Sequence, residues 1–156
     1  MTTRSWRRRL VGALAGGVAG VTVLVTLLLF AAVQTRSAVP VFSVVARFVG
    51  VPGNVALGFA LFVLAGAVAW PLVFLGLERY LPLWPDPAVR GVGFATALWV
   101  AFVLTGRGSL QGAVLLVYAA FTLVAHLAYG FVLGAVYGRL VDPVADATGS
   151  PRAEGF

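Results

Sequence analysis

The run AVLLVYAAFTLVAHLAYGFVLGAVY, Ala113–Tyr137, decides the fold. It contains no Asp, Glu, Lys or Arg and is longer than the ~20 apolar residues that a helix needs to cross a bilayer. It also holds the only histidine of the chain, His126, and from Gly130 a glycine recurs every fourth residue, at Gly134 and Gly138. A segment this apolar, with one imidazole and a regular row of glycines, reads as a membrane helix that packs closely against a neighbour and must satisfy one polar group inside the bilayer.

Three further runs of the same kind lie upstream. Together they place spans at about 10–33, 55–77, 88–105 and 113–137. The composition agrees: 61% of the 156 residues are hydrophobic and 10% are charged, and the mean hydropathy is +1.01. A soluble domain with this balance would expose too much apolar surface. The expected fold is therefore all-α, a transmembrane four-helix bundle over residues 1–141, with a disordered cytoplasmic tail over 142–156. The partner this composition implies is the lipid bilayer, in a multi-pass protein of the cell membrane.

The charges set the orientation. Arg4, Arg7, Arg8, Arg9, Arg79, Arg90, Arg139 and Arg152 fall on one side of the spans, and Arg36, Arg47 and Arg107 on the other. Eight against three predicts both termini in the cytoplasm. The net charge of +6 could point to nucleic acid, but arginines that flank apolar runs are what membrane topology requires, and no nucleic-acid partner is expected. The apolar run after Arg9 is much longer than the ~7–15 residues of a signal peptide, which favours an uncleaved first span.

The first external loop contains PVFSVVARFVGVP, Pro40–Pro52. Ser43, Ala46, Arg47 and Gly50 form a small and polar stripe at helical spacing, with Val41, Phe42, Val44, Val45, Phe48 and Val49 around it. Over about 41–50 this predicts an amphipathic helix in the outer interface; a lid over a central site is the alternative. The cytoplasmic loop around Pro82, Pro85 and Pro87 should be stiff, with Tyr80 and Trp84 at headgroup level.

Small residues spaced by four recur: Gly12, Gly16 and Gly20 in span one, Gly93 and Ala97, continuing to Ala101, in span three, and Gly130, Gly134 and Gly138 in span four. Such rows let helix backbones approach, within one chain or between copies; a pathway lined by small residues is the other reading. A leucine at Gly134 should force paired helices apart, whereas Leu133, one position away, should tolerate phenylalanine. A faint repeat at a shift of 60 residues lays Ala65 on Ala125 and Arg79 on Arg139.

FVLAGAVAWPLVFLGLERYLP (Phe62–Pro82), VRGVGFATALWVAFVL (Val89–Leu104) and HLAYGFVLGAVYGRL (His126–Leu140) resemble a group of small four-helix membrane proteins of unknown function common in haloarchaea. Trp70-Pro71, Leu81-Pro82 and the His126/Tyr129-Gly130 cluster carry most of the likeness. Some relatives bear labels linking them to terminal oxidases, so the resemblance implies an accessory role beside a respiratory complex.

No activity is expected. The chain has no cysteine, one histidine and five acids, too few ligands for a metal centre in a single chain, and no nucleophile–base pair or phosphate loop. Neither cofactor nor catalytic residue is assigned. The leading expectation is a non-enzymatic accessory, assembly or structural component that packs against other membrane subunits. The alternative is a small homo-oligomeric transporter or channel using His126; haem held by His126 from two copies is a third reading. For His126 a neutral imidazole is expected near mid-membrane, since a charge there is expensive. Pro71 lacks an N–H, which frees the carbonyl four residues earlier, on Ala67. The predicted pairing is His126 with the Ala67 carbonyl, with Thr22 or Thr26 as alternative partners.

Overall fold

The structure, a computed structural model, describes residues 3–35, 40–81, 86–106 and 111–141. The tail over 142–156 lies outside the described residues, as do Trp84, Arg36 and Arg107. Every element is helical: α1 (Thr3–Thr35), α2 (Pro40–Arg47), α3 (Val55–Leu64), a π-helical turn (Ala65–Ala69), α4 (Trp70–Leu77), a 3-10 turn (Glu78–Tyr80), α5 (Pro87–Gly106) and α6 (Gly112–Val141). α3, the π turn, α4 and the 3-10 turn run on as one span.

Four segments are long and apolar enough to cross a membrane: Ser5–Val33, Val55–Tyr80, Pro87–Thr105 and Gly112–Val141. α1 begins well before its apolar run because Trp6 to Arg9 contain no glycine or proline and arginine is a good helix former. The second and third spans start on capping side chains. Asn54 Oδ1 accepts from the Leu57 N–H at 3.0 Å, and Asp86 Oδ1 accepts from the Ala88 N–H at 2.7 Å. Pro87 sits in the first turn of α5, where its missing N–H costs nothing. Phe30, Leu116 and Phe131 are each more than half exposed, which suits lipid and not water.

α6 lies between α1 and α5, and α1 also packs along the second span. α6 meets its neighbours with two different faces. Tyr129, Leu133 and Tyr137, one turn apart, project onto the glycine row of α1. A Cβ on Gly20 would stand 2.9 Å from the Tyr129 carbonyl oxygen, one on Gly16 2.6 Å from that of Leu133, and one on Gly12 3.4 Å from the Tyr137 ring. The glycine row of α6 faces α5 instead: Gly130 meets Gly91 and Ala95, Gly134 meets Pro87 and Ala88, and Gly138 meets Pro87. Both rows are thus occupied inside the monomer.

Two expectations need correction here. The ridge of α5 is not Gly93–Ala97–Ala101, for Ala97 and Ala101 are exposed. It is Ala88, Gly91 and Ala95, all buried, spaced three and four apart as the 3.6-residue helical period requires. Leu133 is also not a free position: it is fully buried, wedged over Gly16.

The second span and α5 stand further apart. Their bridges are aromatic, Phe74 with Phe94 at 5.5 Å and Phe62 with Phe102 at 6.5 Å between ring centroids. α2 packs on α3, where the bare Gly58 receives the Phe42 carbonyl and the Phe42 ring sits edge-on to Phe59 at 5.2 Å. Phe42 and Ala46 are buried, whereas Arg47, Phe48 and Val49 are exposed. Ala46 therefore belongs to the packed face and not to the polar stripe. Gly50 (φ 79°) and Gly53 (φ 84°) turn the chain from α2 into α3.

Candidate functional site

His126 is 5% exposed. Its Nδ1 lies 2.7 Å from the carbonyl oxygen of Thr122, one turn earlier in α6. A carbonyl can only accept, so Nδ1 carries the proton and donates. The ring packs against Phe102 of α5 at 4.9 Å between centroids. The same stretch is tied to α5 by Trp99, whose Nε1–H is shared between the Ala119 carbonyl at 3.1 Å and the Thr122 hydroxyl at 3.2 Å.

The expected bond from His126 to Ala67 is not made, and the reason is the π turn. In it the Trp70 N–H reaches back five residues, to the Ala65 carbonyl. At that spacing the carbonyl orphaned by Pro71 belongs to Gly66, not Ala67. Tyr129 fills the gap: its hydroxyl donates to the Gly66 carbonyl at 2.9 Å, and its side chain is among the most fully buried in the molecule. Ala67 instead turns its carbonyl toward Gly17 of α1, where Pro71 also packs. Thr22 is exposed and bonds back to its own helix, donating to Val18 O at 2.8 Å; Thr26 does the same to Thr22 O. Neither meets His126. Of the polar candidates, then, Pro71 and the π turn act with Tyr129, and His126 stands apart.

Beside His126 the bundle leaves a cavity of about 500 Å³. All four spans and α2 line it, with Leu24, Val45, Phe62, Phe102, His126 and Tyr129 as representative walls. Phe48 and Val49, in the turn that follows α2, Trp70 of the second span and Ala101 and Thr105 of α5 also line it and are exposed. The opening is therefore lateral, between the second span and α5 and beneath α2. Toward the other end the rings of Phe74, Phe94 and Tyr137, packed at 5.5 Å, close the interior.

A second polar centre lies at the end of the bundle that carries the N-terminus of α1. Arg9 forms an ion pair with Glu78, and its Nε–H donates to the Tyr137 hydroxyl at 3.1 Å. Glu78 is 4% exposed. Arg90 and Pro87 of α5 complete a small polar pocket around them, so every span contributes to this clasp. Neither Glu78 nor Tyr129 is among the site residues expected from the sequence, although Tyr129 belongs to the cluster that carries the family likeness. An acid one residue past an apolar run, and a tyrosine three positions after the histidine on the same helix face, are the signals that could have flagged them. Among the described residues no three His, Cys, Asp or Glu side chains cluster.

Four apolar spans, two of their seams closed by glycine packing, with His126 and Tyr129 on a mid-span cavity and Arg9 and Glu78 in an end clasp, define a multi-pass helical membrane protein. The chain belongs to the family described as "Family of unknown function (DUF6789)", whose profile matches residues 7–147. No curated protein matches the chain, and no solved structure matches it.

Proposed function

We propose that the protein is a non-enzymatic membrane component, an accessory, assembly or structural element of a larger membrane assembly, with its working edge between the second span and α5. A respiratory terminal oxidase is the assembly to which the family resemblance points. The observation that carries the proposal is the lateral cavity. The α1–α6 and α6–α5 seams are closed by small residues, whereas this edge is bridged by the ring contacts of Phe74 with Phe94 and Phe62 with Phe102 and gives onto apolar space. An open apolar edge flanked by exposed rings is where a neighbouring membrane component gains most contact. The orientation with both termini cytoplasmic rests on the arginine distribution, and places α2 on the outer face.

The alternative, a small homo-oligomeric transporter or channel using His126, draws on the histidine at the cavity wall. The ring plug of Phe74, Phe94 and Tyr137 weighs against a path through one monomer.

The chain has no cysteine, so photo-crosslinkers or single cysteines can be placed at will. At Trp70 and Ala101, on the edge, a discrete stoichiometric protein adduct is expected in native membranes. At Val124, 60% exposed on α6 and outside the cavity, lipid adducts alone are expected. Lipid adducts alone at all three positions would sink the proposal.

A further inference from the structure

The cavity is not uniformly apolar. At its wall stands an imidazole that is more than nine-tenths buried, and the hydrogen bond from Nδ1 to the Thr122 carbonyl fixes where its proton lies. A neutral imidazole that donates from Nδ1 keeps its lone pair on Nε2, and a cation in this setting would be expensive. The polar side chains at and beside the cavity wall already use their donor hydrogens, apart from Tyr118, whose hydroxyl is buried with no partner among the described residues and which does not line the space. The Tyr129 hydroxyl donates to Gly66 O, the Thr105 hydroxyl to Ala101 O at 2.7 Å, and the Trp99 N–H to Ala119 O and Thr122 Oγ1. What the cavity offers an occupant is therefore a largely hydrocarbon and aromatic surface whose lining side chains accept hydrogen bonds and have no donor to spare, with His126 Nε2 the most basic acceptor.

We propose that this cavity binds a lipid alcohol from the bilayer, its chain against Leu24, Phe62 and Phe102 and its hydroxyl donating to Nε2 of His126. Three features select that class. The volume lies in the ~300–1,000 Å³ range of small-molecule pockets. The entrance is lateral, so the ligand arrives from lipid and not from water. The free sites on the lining side chains are acceptors and not donors, which matches a hydroxyl and leaves a ketone, an ester or a plain alkane without a partner. The inference deepens the accessory reading by naming what occupies the space behind the working edge, but it needs no protein partner and can be tested without one.

The test uses the full chain in lipid nanodiscs and two probes, a long-chain primary alcohol with a mid-chain diazirine and the methyl ether of the same molecule. After irradiation, adducts are mapped and counted by mass spectrometry. The alcohol is expected to label the cavity segments of α5 and α6 about threefold or more above the ether, the scale of one modest intramembrane hydrogen bond. His126→Phe should bring the alcohol down to the ether, whereas His126→Gln, which restores an acceptor oxygen, should keep the preference. Ala65→Trp, which fills the space, should abolish labelling by both. Equal labelling of the native protein by the two probes, or a preference that survives His126→Phe, would overturn the proposal. Should His126→Phe fail to fold, the alcohol-to-ether ratio in the native chain and in His126→Gln still decides. A failure here leaves protein adducts at Trp70 and Ala101 untouched, so the ligand and the partner stand or fall separately.

Discussion

The two ends of the bundle are built on opposite plans. At the end that carries the N-terminus of α1, glycines bring α1, α6 and α5 into backbone contact, Phe74, Phe94 and Tyr137 fill the middle, and Arg9 and Glu78 tie the spans together. At the end that carries α2 the second span and α5 part around a cavity, and among the described residues the Tyr118 hydroxyl is left buried with no partner. Lipid tails are as apolar as leucine, so nothing squeezes membrane helices together; they close only where side chains permit it. One end has that permission along both seams of α6. The other lacks it between the second span and α5.

Four substitutions should break or sharpen this contrast, each followed by thermal unfolding in one detergent–lipid mixture. The largest effect is expected for Gly134→Leu. A Cβ there already meets the backbone of Pro87 and Ala88, which is not a flexible side chain that can give way. The cost should exceed the ~1–3 kcal/mol of ordinary overpacking, and little folded protein should be recovered. A variant with native melting behaviour would mean that α5 and α6 are not seamed by glycine. Next comes Glu78→Ala, which strands Arg9 at a site where Glu78 is 4% exposed. Removing one partner of a buried pair costs about 3–5 kcal/mol, and the double change Arg9→Met with Glu78→Met should recover much of it. If the single change is silent, water already reaches the clasp.

Tyr129→Phe is a milder break, since it removes the donor to the Gly66 carbonyl and keeps the ring. Intramembrane bonds average ~0.6 kcal/mol and rarely exceed ~2 kcal/mol, so a small loss in melting temperature is expected, and none would show that Gly66 finds another donor. The smallest effect, and the only one of opposite sign, belongs to the open end. Ala101→Leu adds bulk to an exposed cavity wall and should change stability by less than about 0.5 kcal/mol, or raise it slightly. A loss as large as that of Gly134→Leu would mean that the two ends are equally tight.

What could be read from the sequence divides along the same physical line. Span existence follows from one-dimensional hydropathy, and the four apolar runs fall on four helices long and apolar enough to cross a membrane. The glycine rows of α1 and α6 were legible as contact surfaces, but not their partners. Both were read as equivalent ridges, whereas one receives tyrosine and leucine knobs and the other the backbone of α5. Gly93 and Ala97 mislead because a spacing of four says that residues share a helix face and not which face meets a neighbour; Gly91 and Ala95, two positions earlier and also four apart, hold the contact line. His126 was legible as buried, but its bond was not. The orphan carbonyl moved from Ala67 to Gly66 with a change of helical register that no propensity signals, and Tyr129 was there to take it. The Arg9–Glu78 pair was hidden for another reason: it depends on the first and second spans lying side by side, which is a fact of the assembled bundle alone.

The π turn at Ala65–Ala69 can be regarded as one residue more than the α register of this span has room for. Deleting a single residue there would restore an ordinary helix, advance everything before it by ~1.5 Å and rotate it by about 100°. Leu61 and Phe62 would turn off the cavity wall, Gly58 would no longer present its bare face to Phe42, and α2 would lose its seat. Length variation among related sequences at this one position would therefore sort them into chains that keep a pocket under α2 and chains that have closed it.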